Sequence, residues 1–117
     1  MSDSVFVGID VSSQTLEIAS SAAAKTWQAA NDTAGIEQLV VQLTGMKPAL
    51  VVLEATGGYE FEAACAIQAA GLPVAVVNPR TARDFARAMG ALAKTDTLDA
   101  RMLATFARVL HQHPERE

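Results

Sequence analysis

The sequence is poor in the features that mark secreted and membrane proteins. Its single cysteine, Cys65, excludes an internal disulfide, and its position among alanines predicts a small buried residue. No apolar run is long enough to cross a bilayer, and no basic segment precedes an apolar stretch at the amino end, as a secretory signal requires. These absences predict a cytoplasmic protein with no membrane partner.

The chain also lacks an excess of positive charge. Its 9 lysines and arginines face 13 acidic residues, which gives a formal net charge of −4. That balance argues against nucleic-acid binding over the whole surface, but it leaves room for a local basic face or for an acidic site that holds a metal. With 117 residues, half of them apolar, the chain suits one compact folded domain.

Hydrophobic periodicity and cap residues predict five strands and four helices in the order β-β-β-α-β-α-β-α-α. The predicted strands are residues 5–10, 15–21, 24–31, 48–55 and 72–79, and the predicted helices are residues 31–45, 57–71, 79–91 and 95–110. The first three strands suit an antiparallel meander, and the later alternation predicts parallel strands. The predicted fold is therefore α/β, a mixed five-stranded sheet with helices on both faces.

Two acidic residues close predicted strands: Asp10 ends "VFVGID" and Glu54 ends "ALVVLE". If these strands are parallel neighbours, both carboxylates emerge at the edge of the sheet where such folds bind ligands. Asp96 and Asp99, three residues apart, share a face at the start of the last predicted helix, which could lie over that edge. Four converging carboxylates without histidine or cysteine suit Mg²⁺ or Mn²⁺, which support phosphodiester cleavage.

Each of these acids also has a plainer interpretation. Asp96 and Asp99 could be helix-start residues favoured by the helix dipole, with Thr95 as the cap, and Asp10 could be a turn residue. Glu54 is harder to explain in this way, because a carboxylate that closes a run of apolar residues needs a partner or a ligand. Spacing alone leaves both interpretations open.

Three segments carry a family resemblance: "FVGIDVSSQTLEIA", "VVLEATGGYE" and "VAVVNPRTARDFARAMGALAKTDTLDARMLATFA". Together they resemble the N-terminal domain of the DEDD transposases of insertion-sequence family 110, over nearly the whole chain. The resemblance implies a bacterial protein with an RNase H-like fold similar to that of the Holliday-junction resolvase RuvC. It also implies that Asp10, Glu54, Asp96 and Asp99 form the catalytic, metal-binding tetrad for DNA strand cleavage and transfer in transposition.

The same resemblance implies partners and further domains. We expect DNA as the substrate, a structured noncoding (bridge) RNA as a partner, and a homo-oligomer in the full-length protein. Residues 1–110 would be the RuvC-like domain, and the polar residues 111–117 would begin a linker to a serine-bearing second domain that this chain lacks. The chain departs from the family at Ser13, where a lysine is frequent, and at Thr97 and Leu98, where an Arg-Ile pair is frequent; neither departure touches an acid.

A possible basic face lies in the third predicted helix. Arg80, Arg83 and Arg87 recur at spacings of three and four and so share one side of it, with Lys94 nearby. Beside an acidic metal site, this face could bind the phosphates of DNA or RNA. The alternative is a solvated helix surface on which Asp84 pairs with Arg80.

Two other functions stay open at this stage. A strand that ends in an aspartate also begins the actin-like and sugar-kinase-like ATP phosphotransferases, and Gly57 and Gly58 could cradle a phosphate or simply form a tight turn. No second glycine-rich phosphate segment is present in the sequence to support such an enzyme. The fold could instead be a non-catalytic module that docks RNA or a partner subunit. Tyr59, beside the glycines, is expected to pack against the domain rather than stack on a base.

Overall fold

The computed structural model describes residues 4–90 and 99–112. In this part of the chain, the nine predicted elements are present in the predicted order. The strands are β1 (Phe6–Val11), β2 (Thr15–Ser20), β3 (Trp27–Ala30), β4 (Leu50–Glu54) and β5 (Val74–Val77), and the helices are α1 (Thr33–Met46), α2 (Phe61–Ala69), α3 (Pro79–Ala88) and α4 (Ala100–Gln112). None of these helices has both the length and the apolar character that a membrane span requires.

The five strands form one mixed sheet in the order β3-β2-β1-β4-β5. β1, β2 and β3 are an antiparallel meander, whereas β4 runs parallel to both β1 and β5. The predicted mixed sheet is therefore confirmed. In the pairing of β1 with β4, Ile9 lies opposite Leu53, so the next residue of each strand, Asp10 and Glu54, lies at the same edge.

Helices cover both faces of the sheet, as predicted. On one face, α1 and α2 bury their apolar sides against the strands, through residues such as Leu39 and Ile67. On the other face, α3 and α4 pack through Ala86, Leu103 and Phe106. Side chains alternate along a strand, so Asp10 points to the face that α4 covers, as do Gly8 and the buried Phe6 two and four residues before it.

The helix boundaries follow from local chemistry. The Asp32 carboxylate caps α1 by accepting a hydrogen bond from the Gly35 amide at 2.8 Å, and Asn78 caps α3 just before Pro79.

Two smaller predictions are wrong: Cys65 is exposed on α2, and Tyr59 is 55% exposed rather than packed. On α2 the buried positions are Ala63 and Ile67, which leaves Cys65 outside, whereas Tyr59 precedes α2 and lies in the turn that follows Gly57 and Gly58.

Candidate active site

Asp10 and Glu54 form the centre of an acidic edge. Both side chains are half-buried, because Asp10 is the second-to-last residue of β1, Glu54 is the last residue of β4, and both strands run through the core of the sheet. Burial raises the pKa of Asp10, and the nearby carboxylates of Asp99 and Glu17 raise it further. Burial likewise raises the pKa of Glu54, Asp10 adds to that rise, and Arg83 opposes it. Asp10 thus lies near enough to two of the other predicted acids, Glu54 and Asp99, for their negative charges to repel one another.

Asp99 does not lie within a helix, contrary to the prediction that the last helix begins near residue 95. α4 begins at Ala100, and Asp99 is its cap: the Asp99 carbonyl accepts from the Leu103 amide, and its Oδ1 accepts from the Met102 amide at 2.9 Å. The helix-start interpretation is therefore correct for Asp99, but it is not exclusive. Capping uses Oδ1 and leaves Oδ2 for other contacts. Asp96 and Lys94 lie outside the described residues.

A glycine on β1 sets how closely α4 approaches Asp10. A Cβ atom at Gly8 would overlap the Ala100 carbonyl oxygen and the Ala104 amide nitrogen, and would lie 2.7 Å from the Leu103 carbonyl carbon. Only glycine permits this contact of helix backbone with strand. The close packing brings the cap of α4, and with it Asp99, to the end of β1.

Glu17 is a fifth acid at this edge, and the sequence analysis did not single it out. In the antiparallel pairing of β1 with β2, Glu17 lies directly opposite Asp10. Hydrogen bonds from Thr26 and Gln28 lower the pKa of Glu17, so it stays charged beside Asp10. The alternation of "TLEIAS" predicts that Glu17 is on one side of the strand, but only the register of the hairpin shows which residue it faces.

Three of these acids, Asp10, Glu17 and Asp99, border an open cavity of about 370 Å³ that Thr26, Ala100 and Arg101 also line, whereas Glu54 is not among its lining residues. Within residues 4–90 and 99–112, no three acidic, histidine or cysteine side chains are grouped closely enough to hold a metal ion as they stand. The chemistry of the donors is nevertheless that of a hard cation site, since every one of them is a carboxylate. Mutual repulsion among half-buried carboxylates is relieved by a cation that lies between them.

The predicted arginine face lies beside these acids. Arg80, Arg83 and Arg87 are exposed on α3, while Ala82 and Ala86 face the core. They border a cavity of about 520 Å³, and Arg83 is near enough to Glu54 to influence its titration. The predicted pairing of Asp84 with Arg80 is wrong. Asp84 pairs with Arg87 at 3.5 Å, and both side chains are more than half exposed, so this ion pair stabilises the fold little.

The glycine pair after β4 forms a tight turn rather than a phosphate cradle. Gly57 and Gly58 both have positive φ, 81° and 121°, which L-residues rarely adopt. The Glu60 carboxylate fills the turn: it accepts hydrogen bonds from the Thr56 amide at 2.9 Å, the Thr56 hydroxyl at 3.0 Å and the Gly58 amide at 3.1 Å. These donors lower the pKa of Glu60. An anion that approached the turn would have to displace this carboxylate.

Comparison with known proteins identifies the family. The profile of the DEDD transposases of insertion-sequence family 110, described as "Transposase", matches residues 7–116. The chain belongs to this transposase family. The match covers the acidic edge and the arginine face of the transposase domain. A search of curated proteins found no match to the chain.

Solved structures show which fold the transposase domain shares. It is similar to RuvC of Thermus thermophilus in complex with a Holliday junction substrate, with a TM-score of 0.56 and 15% identity over 94% of this chain and 92% of that one. A second Thermus thermophilus RuvC structure has a TM-score of 0.54 and 16% identity over the same shares of the two chains. The RuvC-like, RNase H-like fold is therefore confirmed, in a transposase-family domain.

Proposed function

We propose that this domain supplies the metal-dependent acidic site with which a transposase cleaves and transfers DNA strands. The observation that carries the proposal is the meeting of Asp10, Glu54 and Asp99 at one edge of the sheet, where burial and mutual repulsion raise the pKa values of Asp10 and Glu54. Carboxylates in a purely structural role are seldom arranged to repel one another, whereas perturbed carboxylates in a cleft are typical of catalytic sites.

Asp10, Glu54 and Asp99 would hold the divalent cation, together with Asp96 by the family resemblance. Mg²⁺ or Mn²⁺ suits a set of carboxylate oxygens, and when bound it activates a water or hydroxyl and stabilises the leaving oxygen of a phosphodiester. The protein's part is to hold the ligands in place. The Met102 amide fixes Asp99 through Oδ1, and the ends of β1 and β4 fix Asp10 and Glu54 side by side.

The arginine face on α3 would bind phosphates of the DNA that enters this site. Arg80, Arg83 and Arg87 are exposed, and Arg83 is close to Glu54, so a phosphate held by Arg83 would lie next to the acids. Lys94 belongs to the same proposal by its position in the sequence. DNA as the substrate is supported by the RuvC relative whose structure holds a Holliday junction substrate. A bridge RNA and a homo-oligomer remain predictions from the family resemblance, as do the linker at residues 111–117 and the second domain.

The experiment that tests the proposal uses end-labelled duplex and branched DNA, with Mg²⁺, Mn²⁺ or chelator. We expect strand breaks that need the metal and that disappear in Asp10→Asn and Glu54→Gln, while Glu37→Gln, which removes a charge from the exposed side of α1, behaves as the parent. Breaks of equal yield in chelator, or in Asp10→Asn, would refute the proposal.

A second measurement covers the case in which hydrolysis needs the second domain that the family resemblance implies. Fe²⁺ takes oxygen ligands as Mg²⁺ and Mn²⁺ do, and with ascorbate and peroxide it generates radicals that break any DNA close to it. We expect localised breaks with the parent and with Glu37→Gln, and a loss of that localisation in Asp10→Asn. The same pattern of breaks in parent and Asp10→Asn would mean that the acids do not bind the metal.

A further inference from the structure

A second basic cavity lies on the other side of the acidic edge, between α4 and the end of β2. It has a volume of about 260 Å³ and is lined by Phe6, Ala19, Ser20, Ser21, Arg101, Ala104, Thr105 and Arg108. Of the described residues that line it, two are arginines and none is acidic. No motif in the sequence analysis and no part of the proposed function accounts for this cavity.

Helical spacing places both arginines on the same side of α4. Arg101, Thr105 and Arg108 follow one another at intervals of four and three residues, so they form one stripe. The opposite side of the helix, with Leu103, is buried against the sheet. The stripe therefore faces outward along the β2 side of the domain.

Arg101 joins this cavity to the acidic one. It borders both cavities, and its Nη2 donates a hydrogen bond to the carbonyl oxygen of Ala24, which holds the side chain at the boundary. That bond uses one of the five N–H donors of a guanidinium. An anion in the new cavity would thus lie next to a group that also lines the acidic cavity.

The charges of this stripe are not neutralised within the described part of the chain. Across residues 4–90 and 99–112 the one ion pair is Arg87 with Asp84, so neither Arg101 nor Arg108 has a carboxylate partner there. Hydroxyl groups add to the donors: Ser21 accepts from the Phe6 amide and Ser20 accepts from the Ala22 amide, which leaves the hydrogen of each hydroxyl able to donate. A cavity with two guanidinium groups and two hydroxyl donors is suited to phosphate oxygens.

We propose that Arg101 and Arg108 bind two phosphates of the same DNA strand, the strand that leads away from the acidic site. Seven residues of α-helix separate the two arginines by about 10 Å, which equals the rise of about three nucleotides along the axis of B-form DNA. A single free phosphate would occupy only one end of the stripe, whereas a polynucleotide spans it. With the arginine face of α3 on the opposite side, the strand would be held on both sides of the acids. This assignment rests on the proposed function for the identity of the ligand.

The test is binding of fluorescent single-stranded and branched DNA in chelator, at several salt concentrations. We expect Arg108→Gln to weaken binding several-fold. It should also reduce the slope of log affinity against log salt by about 0.7 to 0.9, which is the amount for one phosphate contact. The double variant, Arg101→Gln with Arg108→Gln, should reduce the slope by about twice that amount. Arg108→Lys should retain most of the slope, since it keeps the charge. Lys47→Gln is the matched control, because Lys47 is exposed after α1 on the other face of the sheet.

Three results would overturn the assignment. The first is a parent that does not bind DNA, and the second is an Arg108→Gln variant whose affinity and slope equal those of Lys47→Gln while circular dichroism shows it folded. The third is release of DNA by millimolar inorganic phosphate beyond its effect as a salt, which would mean a site for free phosphate. Because binding is measured without metal, these results are independent of cleavage. Loss of slope in Arg108→Gln, together with the same pattern of iron-directed breaks in the parent and Asp10→Asn, would support this assignment and refute the proposed function, and the reverse pattern would do the opposite.

Discussion

Gly8 of β1 lies directly against the backbone of Ala100 in the first turn of α4, with no room for a side chain between them. Each of the two residues is close in sequence to a proposed metal ligand: Gly8 comes two positions before Asp10, and Ala100 directly follows Asp99. The contact between strand and helix backbone therefore sets the separation of those carboxylates. The same contact lets the small residues Ala100 and Ala104 bury against the sheet.

Replacing Gly8 with alanine should push α4 away from β1. The new methyl group would meet main-chain atoms, which cannot move aside as a flexible side chain can, so we expect the free energy of unfolding to fall by about 3 kcal/mol. Urea unfolding measures this. Gly45→Ala is the control: nothing lies within 4 Å of its added methyl group, and alanine in a helix should leave stability unchanged or raise it by about 0.5 to 1 kcal/mol. Equal stability of Gly8→Ala and the parent would show that α4 is not seated on β1 in this way.

The acidic edge should make stability depend on pH in a defined direction. Asp10 and Glu54 have ordinary pKa values of 3.8 and 4.5, and both pKa values are raised in the folded protein. From those values up to the raised ones, the folded state holds more protons than the unfolded state, so these two groups lower the free energy of unfolding as pH rises. This penalty, the loss of free energy of unfolding, is absent below the ordinary pKa values and complete above the raised ones.

Asp10→Asn and Glu54→Gln should remove that penalty. In chelator, the free energy of unfolding of each variant should increase relative to that of the parent as pH rises from about 4 to about 7. The increase should be at most about 1 kcal/mol, because these half-exposed groups are screened by solvent. Thermal unfolding across this pH range measures the difference, with Glu37→Gln as the variant that removes an exposed charge elsewhere. If a variant instead became less stable relative to the parent as pH rises, the surroundings of the carboxylate would stabilise its charge rather than repel it.

The turn after β4 should depend on Glu60. Its carboxylate accepts three hydrogen bonds within "ATGGYE" and holds the two glycines in their positive-φ conformation. Glu60→Ala should lower the free energy of unfolding by about 1 kcal/mol, a modest figure because the group is well solvated. The pKa of Glu60 is lowered in the fold, so its contribution is present above 4.5 and is lost as pH falls through the folded pKa. Unfolding in urea at neutral and acid pH tests this, and a Glu60→Ala variant as stable as Glu37→Ala at neutral pH would refute it.

The order of elements could be predicted from the sequence because each has a strong local signal. "ALVVLE" is a buried strand by its apolar run, and "NDTAGIEQLVVQLTG" has cap residues at its start and glycine near its end. Local patterns also placed Asp10 and Glu54 at or near the ends of strands, but their meeting depends on β1 and β4 being parallel neighbours, which the sequence analysis stated only as a condition. Pairing, by contrast, is decided by the whole sheet. Glu17 could be placed on a strand, but its position opposite Asp10 depends on a hairpin register that no single residue encodes.

The errors have a similar origin. Asp99 looks like a residue inside a helix because the apolar spacing continues before it, yet its side chain accepts a hydrogen bond from the Met102 amide and so caps α4, which begins at Ala100. Cys65 is exposed because α2 buries only Ala63 and Ile67, and Tyr59 is exposed because it lies in the turn before α2. The stripe of Arg101 and Arg108 was missed because two arginines seven residues apart become neighbours of one cavity only when α4 crosses β2.

Binding of Mn²⁺ tests most directly whether Asp10, Glu54 and Asp99 form a cation site. The measurement is calorimetric titration of Mn²⁺ into the parent, Asp10→Asn and Glu37→Gln, with the melting temperature of each recorded with and without the metal. We predict that the parent and Glu37→Gln bind Mn²⁺ and melt at a higher temperature with it, as any ligand of the folded state requires. Asp10→Asn should lose at least about tenfold in affinity and most of the rise in melting temperature. Equal affinity in the parent and Asp10→Asn, or no rise in the melting temperature of the parent, would contradict the account.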